Sequence, residues 1–336
     1  MIETFEEQSM AYQSLILRNR VCASLVLSGL VAGLAPMAAH SAPQDPVSSD
    51  GQGLEVLYTE MSVSQRASKP FSGAAQVSAE ALYIEGAEVY DSLGGRLSPR
   101  EFRRLSALPD PGAGNLHVET ILGADTRERT YTTSYPGRAK ALITFSSGRC
   151  SGNFISKDTV ATAGHCVHTG GSGGFYPVTS FRVYPGADGS KTPYGYCTAK
   201  RLYTIAGWAN GGNEEYDYGA IKLNCTVGNT VGWFGFSSAS PGNLPSIIQG
   251  YPGDKPLEQW SSSDKVRAVS TRQIFYANDT MGGMSGSGVW YDNKGPMIIG
   301  IHAYGAHGSG DHGKYNHGTR ITTEVFNNLK AWKDAS

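Results

Sequence analysis

The sequence predicts an all-β fold, an antiparallel sandwich or a pair of barrels, finished by one C-terminal helix. Three observations predict it. Glycine is abundant, 43 of 336 residues, and charged residues make up only 17%. That composition suits many turns between short strands better than a helical bundle. Short runs rich in Val, Ile, Phe and Tyr are broken by Gly, Pro, Asn and Asp, which reads as strand and turn. Neither a collagen-like period nor a solenoid-length repeat is present, and a two-barrel β unit fills roughly 200–250 residues as one domain.

The elements follow in chain order. Arg18 and Arg20 precede the apolar run "VCASLVLSGLVAGLAPMAA", and small residues follow at Ala39 and Ser41. Charge, then apolar run, then small residues is the order of a secretory signal. A membrane anchor is the competing reading, but the run is near the minimum length for one and ends in a cleavage site. The signal is placed at residues 1–41, with cleavage after Ser41 preferred to Ala42, which would leave Pro43 just past the cut. The expected location is therefore secreted and extracellular, with no membrane contact after cleavage.

Residues 42–119 are rich in Gly, Ser, Pro and Ala, and hold eleven acidic residues against six basic ones. From residue 120 onward there are twenty Lys and Arg against fifteen Asp and Glu. An acidic leader on a basic body reads as a pro-segment that docks by charge and is later removed. A flexible linker is the plainer alternative. Residues 120–336 form the remaining domain.

With Cys22 in the signal, four cysteines remain: Cys150, Cys166, Cys197 and Cys225. An even count in an exported chain implies disulfides, and three connectivities are open. The body then supplies the strands "AKALITFSS", "DTVATAG", "SFRVYPG", "YGAIKLN", "SIIQGYPG", "KVRAVST", "RQIFYAN", "SGVWYD" and "PMIIGIHAYG". At the end, "TTEVFNNLKAWKDA" puts Val325, Phe326, Leu329 and Trp332 on one helical face, with Thr322 or Thr323 as cap.

Three stretches carry chemistry. In "VATAGHCV", His165 sits beside Cys166, and a disulfide from Cys166 to Cys150 would fix the loop that bears it. In "NEEYDYGAIKL", Asp217 enters an apolar strand, where a carboxylate needs a partner such as a histidine. In "GGMSGSG", glycines around Ser285 let the backbone turn sharply. The N–H groups of Gly283 and Ser285 can then point at one spot and hold an oxyanion. Each stretch alone is weak: a surface histidine, a turn aspartate and a serine in a glycine loop are all common. The order His165, Asp217, Ser285, with gaps of 52 and 68 residues, is that of chymotrypsin-like proteases rather than subtilisins or α/β-hydrolases. Ser285 would attack the scissile carbonyl, His165 would carry its proton, and Asp217 would orient His165.

On these residues the chain resembles the glutamyl endopeptidase branch of the chymotrypsin-like serine proteases. "TVATAGHC", "YDYGAI", "GNTVGWFGF", "GYPGDK", "SGSG" and "GTRITTEVFNNLKAWK" carry the likeness, which runs from about Thr120 to the C-terminus. The resemblance implies two antiparallel six-stranded β-barrels with the triad in the cleft between them. It implies protein and peptide substrates, a pro-segment as internal partner, a monomer, and no cofactor, with structural calcium left open. Two departures stand out. Gly288 holds a place where the family's serine motif often ends in proline. Cys197 and Cys225 match no disulfide general to the family, and their pairing follows by elimination once Cys150 joins Cys166.

Asp279, six residues before Ser285, occupies the place where trypsin-like enzymes select Lys or Arg. The glutamyl branch instead reads a carboxylate with a histidine in the strand after the serine loop, helped by a nearby Thr or Ser. Here these are His302 and Thr280. Asp279 facing a substrate Glu would repel it, so this reading requires Asp279 to point away or to be paired. The leader ends in "HVETILGAD"; a cut after Glu119 is one that such an enzyme makes itself. By family analogy, the new Thr120 amine assists His302. Met284 stands where trypsin-like zymogens carry an aspartate, so their activation salt bridge is not available.

Other classes have less support. His302, His307, His312 and His317 recur every five residues, but a loop so rich in glycine is not expected to be a preformed tetrahedral site, and no metal is assigned. A non-catalytic binding protein on the same fold conflicts with an intact triad. The body's modest positive excess, with no basic cluster, gives no case for nucleic acid.

Overall fold

A computed structural model describes residues 42–52, 66–74, 95–111 and 120–336. The expected signal and the expected cleavage site at Glu119 lie outside them. Twelve strands build two barrels. The first comprises β1 (Lys140–Phe145), β2 (Gly148–Phe154), β3 (Thr159–Thr162), β4 (Arg182–Pro185), β5 (Cys197–Ile205) and β6 (Gly219–Leu223). All its pairings are antiparallel, in the order β5-β4-β1-β2-β3-β6, and β6 returns to β5 to close the ring. The second comprises β7 (Pro245–Gly250), β8 (Trp260–Val269), β9 (Gln273–Tyr276), β10 (Gly288–Asp292), β11 (Pro296–Tyr304) and β12 (Asn316–Arg320). Its order is β7-β10-β11-β12-β9-β8, and β8 returns to β7. The two barrels thus share one connection order, and closure leaves few open edges.

Nine of the twelve strands coincide with the runs read from sequence. The other three, β2, β5 and β12, contain "GRCSGNF", "CTAKRLYTI" and "NHGTR". Their polar or glycine-rich composition hides them, yet every residue of β2 is buried. Tertiary packing, not propensity, makes these segments strands.

One buried cluster spans both barrels, since Trp290, Ile298, Ile301 and Tyr304 of the second pack with residues of the first. Ile143, Phe154, Val160, Leu202 and Ile221 belong to the core of the first. Ile248, Val266, Ile274, Val289 and Ile299 form that of the second. The C-terminal helix α2 (Thr323–Asp334) is capped by Thr322, whose hydroxyl accepts the Val325 N–H at 3.4 Å. Its expected apolar face is buried: Val325, Phe326, Leu329 and Trp332 are each at most 3% exposed. Trp332 stacks on Tyr203, with ring planes 7° apart. Cys150 joins Cys166, and Cys197 joins Cys225. Closing the 16-residue separation of the first pair is worth about 3 kcal/mol in the chain-entropy account.

The leader residues are not a free tail. Pro46–Ser48 add a strand to the edge of β5, and Asp50 pairs with Arg201 at 2.5 Å. Phe71 bridges to Trp233 and packs against its ring. Helix α1 (Pro99–Ser106), capped by Ser98, buries Leu105 in a cluster with Leu142, Tyr184, Tyr196, Tyr251 and Leu257. Docking by charge is thus only part of the contact; strand pairing and apolar burial supply most of it, because burying a leucine contributes about 1.5–3 kcal/mol and an exposed ion pair at most about 1. Among the described residues no helix is long and apolar enough to cross a membrane.

Candidate active site

His165 lies on a short helical turn, Gly164–Cys166, directly after β3. The Cys150–Cys166 disulfide anchors that turn to β2. Asp217 lies just before β6, and β6 pairs with β3. Adjacent strand ends therefore bring the two residues together across 52 positions of sequence. Asp217 is fully buried and His165 is 3% exposed. Asp217 Oδ1 accepts the His165 backbone N–H at 2.8 Å, and Oδ2 lies 2.7 Å from His165 Nδ1. The Tyr304 hydroxyl also donates to Oδ2, and Thr319 donates to the Asp217 carbonyl at 3.1 Å. Burial works against a charged imidazole, but Asp217 beside it and Asp110 beyond it outweigh burial and raise the His165 pKa above its ordinary value. Burial, reinforced by Asp217, pushes the Tyr304 phenol up, so Tyr304 remains a donor.

Ser285 belongs to the second barrel, in the loop before β10. Gly283 and Gly286, on either side of it, have φ of +99° and +86°, a region that disfavours side chains. A Cβ on Gly286 would also lie 2.3 Å from the Ser151 carbonyl. The flanking glycines are therefore a steric requirement of this turn. Ser151 N donates to the Ser285 carbonyl at 2.8 Å, which sets the serine loop against the strand that holds Cys150.

A carboxylate from the leader sits among these groups. Asp110 Oδ2 accepts the Gly283 N–H at 2.7 Å and the Ser285 hydroxyl at 3.3 Å. Asp110 Oδ1 is 3.9 Å from His165 Nε2. The neighbouring Pro109 carbonyl accepts the Arg149 N–H at 2.9 Å. An anion thus lies where the Gly283 N–H was expected to meet a developing oxyanion.

Asp279 is engaged by donors of the protein itself. It is 1% exposed, and its oxygens are occupied by the segment after Thr120. Oδ1 accepts Leu122 N–H at 2.8 Å; Oδ2 accepts Thr126 N–H at 2.8 Å and the Thr126 hydroxyl at 2.6 Å. The condition that Asp279 be paired is met by these donors, not by His302. Thr280 and His302 are both fully buried. The backbone of His302 brackets the nucleophile loop: its carbonyl accepts Gly286 N–H and its N–H donates to Ser287, each at 2.8 Å. The Tyr276 hydroxyl lies 2.6 Å from His302 Nδ1. Burial above all, with neighbouring His317 and His165, lowers the His302 pKa to about 3, so the ring is neutral. With Tyr276 donating to Nδ1, the ring proton sits on Nε2, which becomes a hydrogen-bond donor. Among the described residues the buried Thr280 hydroxyl has no hydrogen-bond partner. Thr120 lies alongside: its carbonyl accepts Thr280 N–H at 3.3 Å, and its N–H donates to Asn316 at 3.3 Å.

Sequence reasoning missed three participants. Tyr304 stands two residues after His302 on β11, and that spacing on a strand is the available signal. Tyr276 and Asp110 carry no local signature. The rings of His307, His312 and His317 also gather, with centroids 4.7 to 5.6 Å apart, in a glycine-rich loop that was not expected to be a preformed tetrahedral site.

Comparisons with known proteins agree with this geometry. A family model described as Trypsin matches residues 127–330. The chain is 39% identical over 246 residues to a glutamyl endopeptidase of Bacillus licheniformis, covering 70% of this chain and 76% of that protein. It is 32% identical over 345 aligned residues to a Bacillus subtilis protein named extracellular metalloprotease, covering 99% and 98% of the two chains. A solved structure of a Glu endopeptidase in complex with MPD is 29% identical. It superposes on 64% of this chain and on 100% of its own, with a TM-score of 0.59.

Proposed function

The chain belongs to the trypsin-like serine proteases, in their glutamyl endopeptidase branch, and on that premise we propose that it is a secreted zymogen whose mature form cleaves peptide bonds after Glu. Residues 1–41 act as the signal, 42–119 as the pro-segment, and 120–336 as the protease domain. Ser285 Oγ attacks the scissile carbonyl while His165 Nε2 takes its proton. Asp217, held by Tyr304, keeps His165 in the right tautomer and stabilises its charged form. The Gly283 and Ser285 N–H groups hold the oxyanion. His165 then returns the proton to the leaving amine, and water repeats the sequence to release the acid.

The observation that carries the Glu preference is the engagement of Asp279 by Leu122 and Thr126. With that carboxylate turned to backbone donors, Thr280 and the His302 Nε2–H supply donors for a substrate carboxylate, and the Thr120 amine freed by maturation adds positive charge. The closeness of Asp110 to Gly283 and Ser285 supports a pro-segment that inhibits by occupying the oxyanion site. The metal-dependent reaction suggested by the name of the Bacillus subtilis relative is not favoured here. Apart from the leader's Asp110, the groups gathered there are a serine, an imidazole and a backbone donor, the parts of an acyl transfer.

A peptide panel varying the residue before the cut among Glu, Asp, Arg and Phe tests this reading. Cleavage after Glu is expected, and cleavage after Arg would overturn the pocket assignment. Ser285→Ala should abolish hydrolysis and leave the fold intact.

A further inference from the structure

We propose that Glu214, His307, His312 and His317 form a binding site for a divalent transition metal such as Zn²⁺, which ties the turn before Asp217 to the loop between β11 and β12. One possible ligand atom from each of Glu214, His312 and His317 lies within 4.8 Å of the other two. Zn–N bonds are about 2.0–2.1 Å, so modest side-chain rotations would bring the three onto one ion. His307 stands beside this group, its Nε2 3.3 Å from Glu214 Oε2, and would complete a fourth position.

Hydrogen bonds around the histidines set which ring nitrogens face the site. His307 Nδ1 lies 3.1 Å from the Gly305 carbonyl, which only accepts, so Nδ1 holds the ring proton. The other ring nitrogen, Nε2, faces Glu214 Oε2. His312 Nε2 is held by Gln273 Oε1 at 2.8 Å, which leaves Nδ1 to ligate. Outer hydrogen bonds of this kind orient metal-binding histidines. His317 is the independent observation. It is fully buried, and among the described residues neither of its ring nitrogens has a hydrogen-bond partner; Glu214 Oε2 is 3.7 Å from Nε2. A buried imidazole with unmet nitrogens is costly, and a metal on Nε2 would remove much of that cost.

Three imidazoles and one carboxylate suit zinc, cobalt or nickel rather than calcium, which takes oxygen ligands. Four protein ligands leave no open position, so the site is structural. Its place gives it a task. Glu214 begins the helical turn Glu214–Tyr216 that leads into Asp217. His317 stacks on Tyr304, with centroids 5.3 Å apart, and Tyr304 donates to Asp217. The ion would brace Asp217 from behind, across the two barrels.

The test uses the full chain carrying Ser285→Ala, which prevents self-cleavage, after treatment with chelator. Titration with ZnCl₂ by calorimetry should show one saturable equivalent per chain. Co²⁺ in its place should give the visible absorption of a tetrahedral site, and Ca²⁺ should not compete. Glu214→Gln and His312→Ala, with His312→Gln as the milder alternative, should each weaken Zn²⁺ binding about tenfold or more while circular dichroism stays unchanged. Absence of one-to-one binding overturns the proposal, as does binding that either folded variant leaves at full strength.

Discussion

Asp279 and Thr126 are joined twice: one carboxylate oxygen accepts both the Thr126 backbone N–H, at 2.8 Å, and its hydroxyl, at 2.6 Å. The other oxygen takes Leu122. Asp279→Ala removes the buried carboxylate that holds half-buried Leu122 and exposed Thr126, and hydrogen bonds to a charged group contribute about 1.5–3 kcal/mol each. Denaturant unfolding should therefore show a loss of at least about 2 kcal/mol. The ratio of cleavage after Glu to cleavage after Arg should not change, because the carboxylate does not face the substrate. A shift of that ratio would return Asp279 to the pocket.

The hold of Asp110 on Gly283 and Ser285 predicts inhibition in trans. A synthetic peptide spanning residues 95–111 should inhibit the mature protease competitively. Hydrogen bonds to a charged group contribute about 1.5–3 kcal/mol, so Asp110→Ala in the peptide should raise the inhibition constant roughly 10- to 100-fold. Equal potency of the two peptides would reduce Asp110 to a bystander.

The same contact sets a pH dependence. Asp110 is among the groups that raise the His165 pKa, so protonated His165 and ionised Asp110 favour each other. By linkage, the peptide should bind more tightly as pH falls through the raised His165 pKa. Hydrolysis runs the other way, because His165 must be neutral to act as base, and its rate should fall over that range. Inhibition constants measured from pH 5 to 8 read both trends.

Tyr276 fixes the His302 tautomer through Nδ1. Tyr276→Phe removes one hydrogen bond of about 1 kcal/mol. It should lower kcat/KM for Glu substrates roughly five- to tenfold and leave the slow cleavage of Phe substrates unchanged. An equal loss on both substrates would mean that Tyr276 serves the general fold.

How far the molecule was legible varies from residue to residue. Runs such as "PMIIGIHAYG" announce their strands by β-branched and aromatic content. β2, with "GRCSGNF", does not, because its burial comes from β1 and β3 on either side and the serine loop against Ser151. The helix was legible to its cap, since Thr322 and the Val325, Phe326, Leu329, Trp332 stripe are local features. His165, Asp217 and Ser285 were legible through their order, and the structure brings His165 and Asp217 into contact. Asp110, Tyr276 and Tyr304 were not singled out, because each acquires its role from a partner 26 to 175 positions away.

The sequence by itself determined the β class, the C-terminal helix and the identities of the residues that carry the chemistry, because strand and helix periodicity and turn chemistry act over a few residues. Tertiary structure decided the direction of each functional group. Asp279 has the same carboxylate whether it faces a substrate or the Thr126 N–H, and only the packing of the segment after Thr120 chooses between them. Asp110 is one of eleven acids in the leader, and the burial of Leu105 together with the Pro109–Arg149 hydrogen bond carries it to the Gly283 N–H. A side chain's chemistry is local, but the donors that meet it come from distant parts of the chain that folding alone brings together.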